Sequence, residues 1–306
     1  MPISTDTERR LHDFLHAHPF ADAGAVITDL DGTAVHQVRD RYMIPEGVER
    51  GLERVRACSR PTVVNTLRFP LSIMRTFGGE WAERANPPLP CITLNGSLIG
   101  DIAVEEDGTL GFRERAAFPL SDSERDVFFS SLEKALAAGL QRIILFIYPR
   151  SWGDGEIIWT PDSGRVSEIS ARFVSASVVL AGSLATLHER LAGRDICMMT
   201  VLTDDPGDTR LAFQHGHKSN FLTTADVSKR SGTRWLADQM GFDLAASIGA
   251  GDTEMDTFLD AVGLSLHVGN NALAYRGGSD TLKLADPLEF GDVLFHVAVH
   301  CERTRK

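Results

Sequence analysis

Cysteine is scarce and scattered: Cys58, Cys91, Cys197 and Cys301 are the four in 306 residues, and no two stand at a metal-ligand spacing. A thiolate zinc module and a disulfide framework are therefore excluded, and the pattern reads as free thiols in a reducing compartment. No apolar run approaches the roughly 18 residues that span a bilayer. The first twenty residues also lack the compact apolar stretch of a signal peptide. A cytoplasmic location with no membrane partner is the expectation. Lys and Arg form no long run and the net charge is -11, so nucleic acid is not an expected partner. The glycine fingerprint of dinucleotide sites is missing from the first turn. Internal repeats and low-complexity segments are absent too. An acidic chain that binds an anion must do so through a local positive site, meaning a metal ion and a few well-placed Lys or Arg residues.

What the chain does have is 43% hydrophobic residues, enough for a substantial core and for two domains. Residues 25–33 read Ala-Val-Ile-Thr-Asp-Leu-Asp-Gly-Thr. The β-branched apolar run predicts a buried strand, and Asp29 and Asp31 fall where that strand ends. Ligands bind at this edge of open α/β sheets. Side chains two apart share a side and Gly32 permits a sharp turn, so both carboxylates can face one small volume. Crowded anions repel, and a bound cation relieves them. An Asp-rich turn with no further role is the plainer account of these nine residues taken alone.

The pattern downstream is regular. Residues 5–18 predict an amphipathic helix carrying Leu11, Phe14 and Leu15 at helical spacing. His12 and His16 lie one turn apart on it, a spacing that can bind metal, though an exposed helix face is the plainer explanation. A helix over 46–58, a strand over 61–66, a helix over 71–84 and a strand over 91–95 follow, implying parallel strands with right-handed crossovers. From 97 to 217 strands come in pairs, including 97–105 with 109–118 across Asp107-Gly108, mixed with helices over 121–138 and 183–191. Parallel character then resumes with a helix over 232–240, a strand ending at Asp252, a helix containing Glu254 and Asp256, and a strand over 264–268. The fold expected is α/β: a discontinuous, Rossmann-like parallel-sheet core over 1–96 and 218–306, with an α+β cap inserted over 97–217. His215 and His217 stand near the return from the insert, where solvated linker histidines are the plainer reading.

These motifs, in this order, resemble the haloacid dehalogenase-like superfamily of phosphatases, in particular members with a large cap inserted after the third core strand, the Cof-type group related to sucrose and trehalose phosphate phosphatases. The resemblance covers nearly the whole chain from Ala25 to Asp286. It implies that Asp29 is the nucleophile, Asp31 the general acid and base, and Thr66 a hydroxyl donor to the transferring phosphoryl group. It further implies a Lys just before a helix as the third motif. Counting from the preceding strand places Ser231 there, whereas counting back from Gly241 places Lys229; the helix register and the need for a cation favour Lys229 over Ser231, Lys218 and Arg230. Asp252 matches a direct metal ligand and Asp256 its support. Gly32, Arg68 and Asn270 are expected beside the substrate. Leu67 and Met255 depart from the Gly and Asn common in relatives.

Oxygen ligands without His or Cys suit Mg²⁺. By resemblance its shell is the Asp29 carboxylate, the Asp31 backbone carbonyl and Asp252, with Asp256 behind. The function implied is a Mg²⁺-dependent phosphatase of a small phosphate monoester, a sugar phosphate or related metabolite, working through an aspartyl-phosphate. A phosphomutase would use the same motifs, and a non-catalytic binding protein would need fewer of them. No residue pattern fixes the oligomeric state.

Overall fold

The computed structural model describes residues 3–38, 41–81, 88–140, 142–174, 176–203, 211–214, 217–271, 273 and 280–304. The N-terminal helix α1 (Thr5–Ala17) is capped by Ser4 and buries Leu11, Phe14 and Leu15. The core then alternates strand and helix: β1 (Val26–Thr28), α2 (Glu46–Ala57), β2 (Thr62–Asn65), α3 (Pro70–Trp81) and β3 (Leu89–Thr93). Helix α2 places acids in its first turn and Arg54 and Arg56 in its last, as the helix dipole favours. Successive side chains of a strand point to opposite faces. Thus Val26 and Val64 enter one buried cluster, and Ile27 and Val63 enter the cluster on the other side of the sheet.

After β3 the backbone turns tightly through Leu94, Asn95 and Gly96, all at positive φ. It re-enters the same sheet as β4 (Leu98–Val104) and β5 (Leu110–Ala117), both antiparallel. The expected start of the insert at residue 97 is therefore corrected. The strands over 98–117 form the expected hairpin, but it pairs with β3 and extends the core sheet. Hairpin signals are local and do not say which sheet edge receives the first strand.

The second sheet begins only beyond helix α4 (Asp122–Ala137). It contains β6 (Ile143–Pro149), β7 (Ile157–Thr160), β8 (Val178–Ala181), β9 (Ile196–Thr203) and β10 (Phe221–Leu222), in the order β8-β7-β6-β9-β10. Since β10 pairs with β9, this unit runs past the expected end at 217. It has its own core of Phe128, Leu132, Leu145, Ile147 and Trp159. A capping box of Ser121 and Glu124 starts α4, and Glu124 also accepts from the Thr224 hydroxyl and the Ala225 amide, tying the way in to the way out.

The core resumes with α5 (Lys229–Met240), β11 (Ile248–Gly251), β12 (Leu264–Val268), β13 (Asp280–Leu284) and α6 (Pro287–Thr304). The completed eight-stranded sheet has the order β13-β12-β11-β1-β2-β3-β4-β5, and β1 lies between parallel β2 and β11. Where a helix over Glu254 and Asp256 was expected, the chain makes a turn, and helical structure starts only at Thr257 as a 3-10 segment. Among the described residues no helix is long and apolar enough to cross a membrane.

Gly96 is where the β3–β4 turn meets the start of α5. A Cβ there would lie 2.4 Å from the Ser228 carbonyl oxygen, and the backbone sits at φ +100°. Gly96→Ala should cost about 1–3 kcal/mol of stability through overpacking and strain. Urea denaturation of the variant beside the parent protein checks this.

Candidate active site

The carboxyl ends of β1, β2 and β11 and the N-terminus of α5 converge on one volume. Asp29 follows β1 directly, and its amide donates to the Ala250 carbonyl of the neighbouring strand, which fixes the backbone at the sheet edge. The chain then closes a tight turn in which the Leu30 carbonyl accepts from the amides of Thr33, Ala34 and Val35. Gly32 adopts φ +80° in that turn, and a Cβ on it would stand 2.3 Å from Asp252 Oδ2. Its lack of a side chain is what lets Asp252 approach the Asp29 loop.

Lys229 is the first residue of α5. Ser228 caps the helix, accepting from the Ser231 amide, while the Ser231 hydroxyl accepts from the Ser228 amide. Ser231 is thus used in the cap, and the cation comes from Lys229. Its ammonium is buried and donates to Asp29 Oδ1 at 2.7 Å and to Asp256 Oδ1 at 2.6 Å. Asp256 is fully buried. Its other oxygen accepts from the backbone amides of Asp252 at 2.9 Å and Thr253 at 3.0 Å. Both of its oxygens are engaged, so Asp256 shapes the loop that presents Asp252. The four-residue spacing from Asp252 to Asp256 serves this turn, not a helix face.

Asn65 had not been singled out, yet it is buried and its side-chain amide donates to the Lys229 carbonyl at 3.0 Å and to Thr233 Oγ1 at 2.8 Å. It braces α5 against β2, and its place at a strand end beside Thr66 was the available signal. Thr66 is buried, with its hydroxyl oxygen accepting from the Arg68 amide at 3.1 Å. The hydroxyl proton stays available to an acceptor in the site. Arg68 forks onto Asp31, with Nε to Oδ2 at 2.7 Å and Nη2 to Oδ1 at 2.6 Å. The Arg68 guanidinium also lies over the ring of Tyr42, 5.3 Å from its centroid, in the hairpin of His36–Val38 and Arg41–Met43. Asn270 and its neighbour Asn271 are both exposed, and Asn271 donates to the Asp252 carbonyl at 3.0 Å. A turn at a strand end lets either of two adjacent asparagines reach inward. His215 lies outside the described residues.

Ligand oxygens of Asp29, Asp252 and Asp256 all lie within 4.8 Å of one another. One ammonium faces these three acids. Burial works against the charge on Lys229, but Asp29 and Asp256 outweigh it and raise its pKa, so it is an ammonium. Burial pushes Asp29 up to about 7, with Lys229 opposing and Asp256 adding to the rise. Asp252 is pushed up to about 6 by burial and then by the charge of Asp256. All-oxygen donors short of positive charge fit a hard divalent cation.

No protein-family model and no curated protein matches the sequence. Solved structures do match it in shape. A phosphatase of the haloalkanoate (HAD) superfamily, BT1666 from Bacteroides thetaiotaomicron, is 17% identical at a TM-score of 0.60, over 92% of this chain and 96% of that one. The HAD subclass IIB sugar phosphatase BT4131 is 16% identical at a TM-score of 0.62, over 91% and 99%. TM0651 from Thermotoga maritima is 16% identical at a TM-score of 0.60, over 92% and 97%. The chain has the HAD fold. In this HAD fold the inserted sheet meets the core beside Arg68, where Phe69 faces Tyr148 of β6 with ring centroids 5.7 Å apart.

Two outcomes follow from the charges. The folded, metal-free protein binds protons at Asp29 and Asp252 more tightly than the unfolded chain does, so stability should fall as pH rises from about 4 through 7. Thermal unfolding in a chelator between pH 4 and 8 should show that slope, and Asp252→Asn should flatten it. Lys229→Met leaves Asp29 and Asp256 buried without their cation and should cost about 3–5 kcal/mol near pH 8, read from urea denaturation.

Proposed function

We propose that the chain is a phosphatase of small phosphate monoesters that works through a phosphorylated Asp29, with Mg²⁺ as its metal. The observation that carries this reading is the Lys229 ammonium held between Asp29 and Asp256 at the carboxyl edge of the sheet. A carboxylate so oriented is a nucleophile, and the cation beside it offsets its repulsion of an incoming phosphate dianion. Splitting hydrolysis into two displacements lets Asp29 take the phosphoryl group from the ester and then yield it to water. The leaving alkoxide needs a proton and the attacking water must lose one. Asp31, two residues on and with its side chain 47% exposed, can do both from the solvent side of the loop.

Asp29 and Asp252, with the Asp31 carbonyl, would hold the metal, which when bound supplies charge neutralisation for the phosphoryl oxygens. Asp256 would keep Asp252 in place. Thr66 would donate its hydroxyl to a phosphoryl oxygen, and Arg68 would leave Asp31 to meet the substrate. The separately packed second sheet is read as a cap that excludes water and contacts the leaving group. A sugar phosphate is the favoured substrate class, supported by the likeness in shape to a subclass IIB sugar phosphatase.

Phosphate release from a panel of sugar phosphates, nucleotides and phosphorylated cofactors, with and without Mg²⁺, tests the reading. Release should require Mg²⁺, fall by about three orders of magnitude or more in Asp29→Asn, and fall by about 10²–10⁴ in Asp31→Asn. Release that persists in Asp29→Asn, or no release from any compound, would sink it.

A further inference from the structure

Helix α1 and helix α6 lie side by side and carry histidines that the reaction above does not use. His12 and His16 bring their Nε2 atoms to 2.9 Å. Two imidazole nitrogens meet at this distance when one donates its N–H to the lone pair of the other. That separation is also the spacing of adjacent ligands on a metal. With metal–nitrogen bonds of about 2.0–2.1 Å, a right angle puts the nitrogens about 2.9 Å apart and a tetrahedral angle about 3.3 Å. The ring of His300, from α6, meets the His16 ring edge-on with centroids 5.3 Å apart. One turn earlier on each helix, His296 Nδ1 stands 3.8 Å from Glu8 Oε1, so the two helices face each other with side chains at i, i+4 spacing on both.

We propose that His12, His16 and His300 form a second metal site, for a late first-row divalent cation such as Zn²⁺, which clamps the N-terminal helix to the C-terminal one. The His12–His16 pair is already in place, and His300 completes the site by turning its ring about its side-chain torsions. An all-nitrogen donor set selects Zn²⁺, Ni²⁺ or Cu²⁺ over Mg²⁺, the opposite preference to the carboxylate cluster at Asp29. The two sites can therefore be filled separately.

The test is calorimetric titration of the full, chelator-treated chain with Zn²⁺ in excess Mg²⁺, which occupies the carboxylate cluster. One Zn²⁺ should bind. Even partners one shell removed from a metal are typically worth 10–100-fold in affinity, so loss of a direct ligand in His16→Gln should weaken binding by at least about tenfold. His300→Gln should also weaken it by about tenfold, and it should abolish the Zn²⁺-induced rise in melting temperature. Circular dichroism and the metal-free melting temperature verify that both variants are folded. Equal Zn²⁺ affinity in the parent and His16→Gln, or no Zn²⁺ bound beside Mg²⁺, overturns the site. An unchanged affinity in His300→Gln overturns the clamp.

Discussion

The ammonium of Lys229 between Asp29 and Asp256 is the contact on which the site depends, because it joins the loops that follow β1 and β11 to the start of α5. Burying two carboxylates at the edge of a sheet is costly, and a cation with good geometry to both is what makes it tolerable. The ammonium can be there only if α5 begins at one point. Three neighbours set that point: the Ser228–Ser231 cap, the Asn65 side chain that holds the Lys229 carbonyl, and the absent side chain of Gly96. Each comes from a different segment, and a shift in any of them moves the Nζ.

Sheet order explains why these segments converge. With β1 between β2 and β11, parallel on both sides, the ends carrying Asp29, Thr66 and Asp252 open at the same edge. Both faces of these strands are covered, so their sequences are continuous apolar runs that stop abruptly at polar residues. That contrast makes the core legible. The strand ends bearing Asp29, Thr66 and Asp252 could be read because a buried parallel strand announces its last residue, and Lys229 because a Gly-terminated helix can be counted backwards from Gly241.

What could not be read has physical causes as well. The hairpin over 98–117 has the same local signature whichever sheet it joins, and long-range pairing to β3 decided the matter. The four residues from Asp252 to Asp256 fit a helix face, but a carboxylate folded back onto the amides of its own turn has that spacing too. Asn270 and Asn271 differ by one position in a turn, and side-chain direction there is set by backbone angles that the sequence leaves open. Asn65 escaped notice because a strand-end Asn is common, and its importance comes from Lys229, 164 residues away.

The fork of Arg68 on Asp31 places a constraint on the proposed chemistry. An ion pair of this geometry engages both oxygens of Asp31, whereas protonating a leaving alkoxide needs one of them free to face the substrate. Asp31 cannot hold both partners at once. A phosphate dianion entering between them competes for the guanidinium with two charges against one, and drawing Arg68 away frees the Asp31 oxygens. Arg68 is followed directly by Phe69, which packs against Tyr148 of the second sheet, so movement of Arg68 is mechanically tied to where that sheet sits. On the proposed chemistry, the same residue that recognises phosphate would release the acid and report to the cap, and a ligand lacking the dianion would leave Asp31 paired and unable to donate.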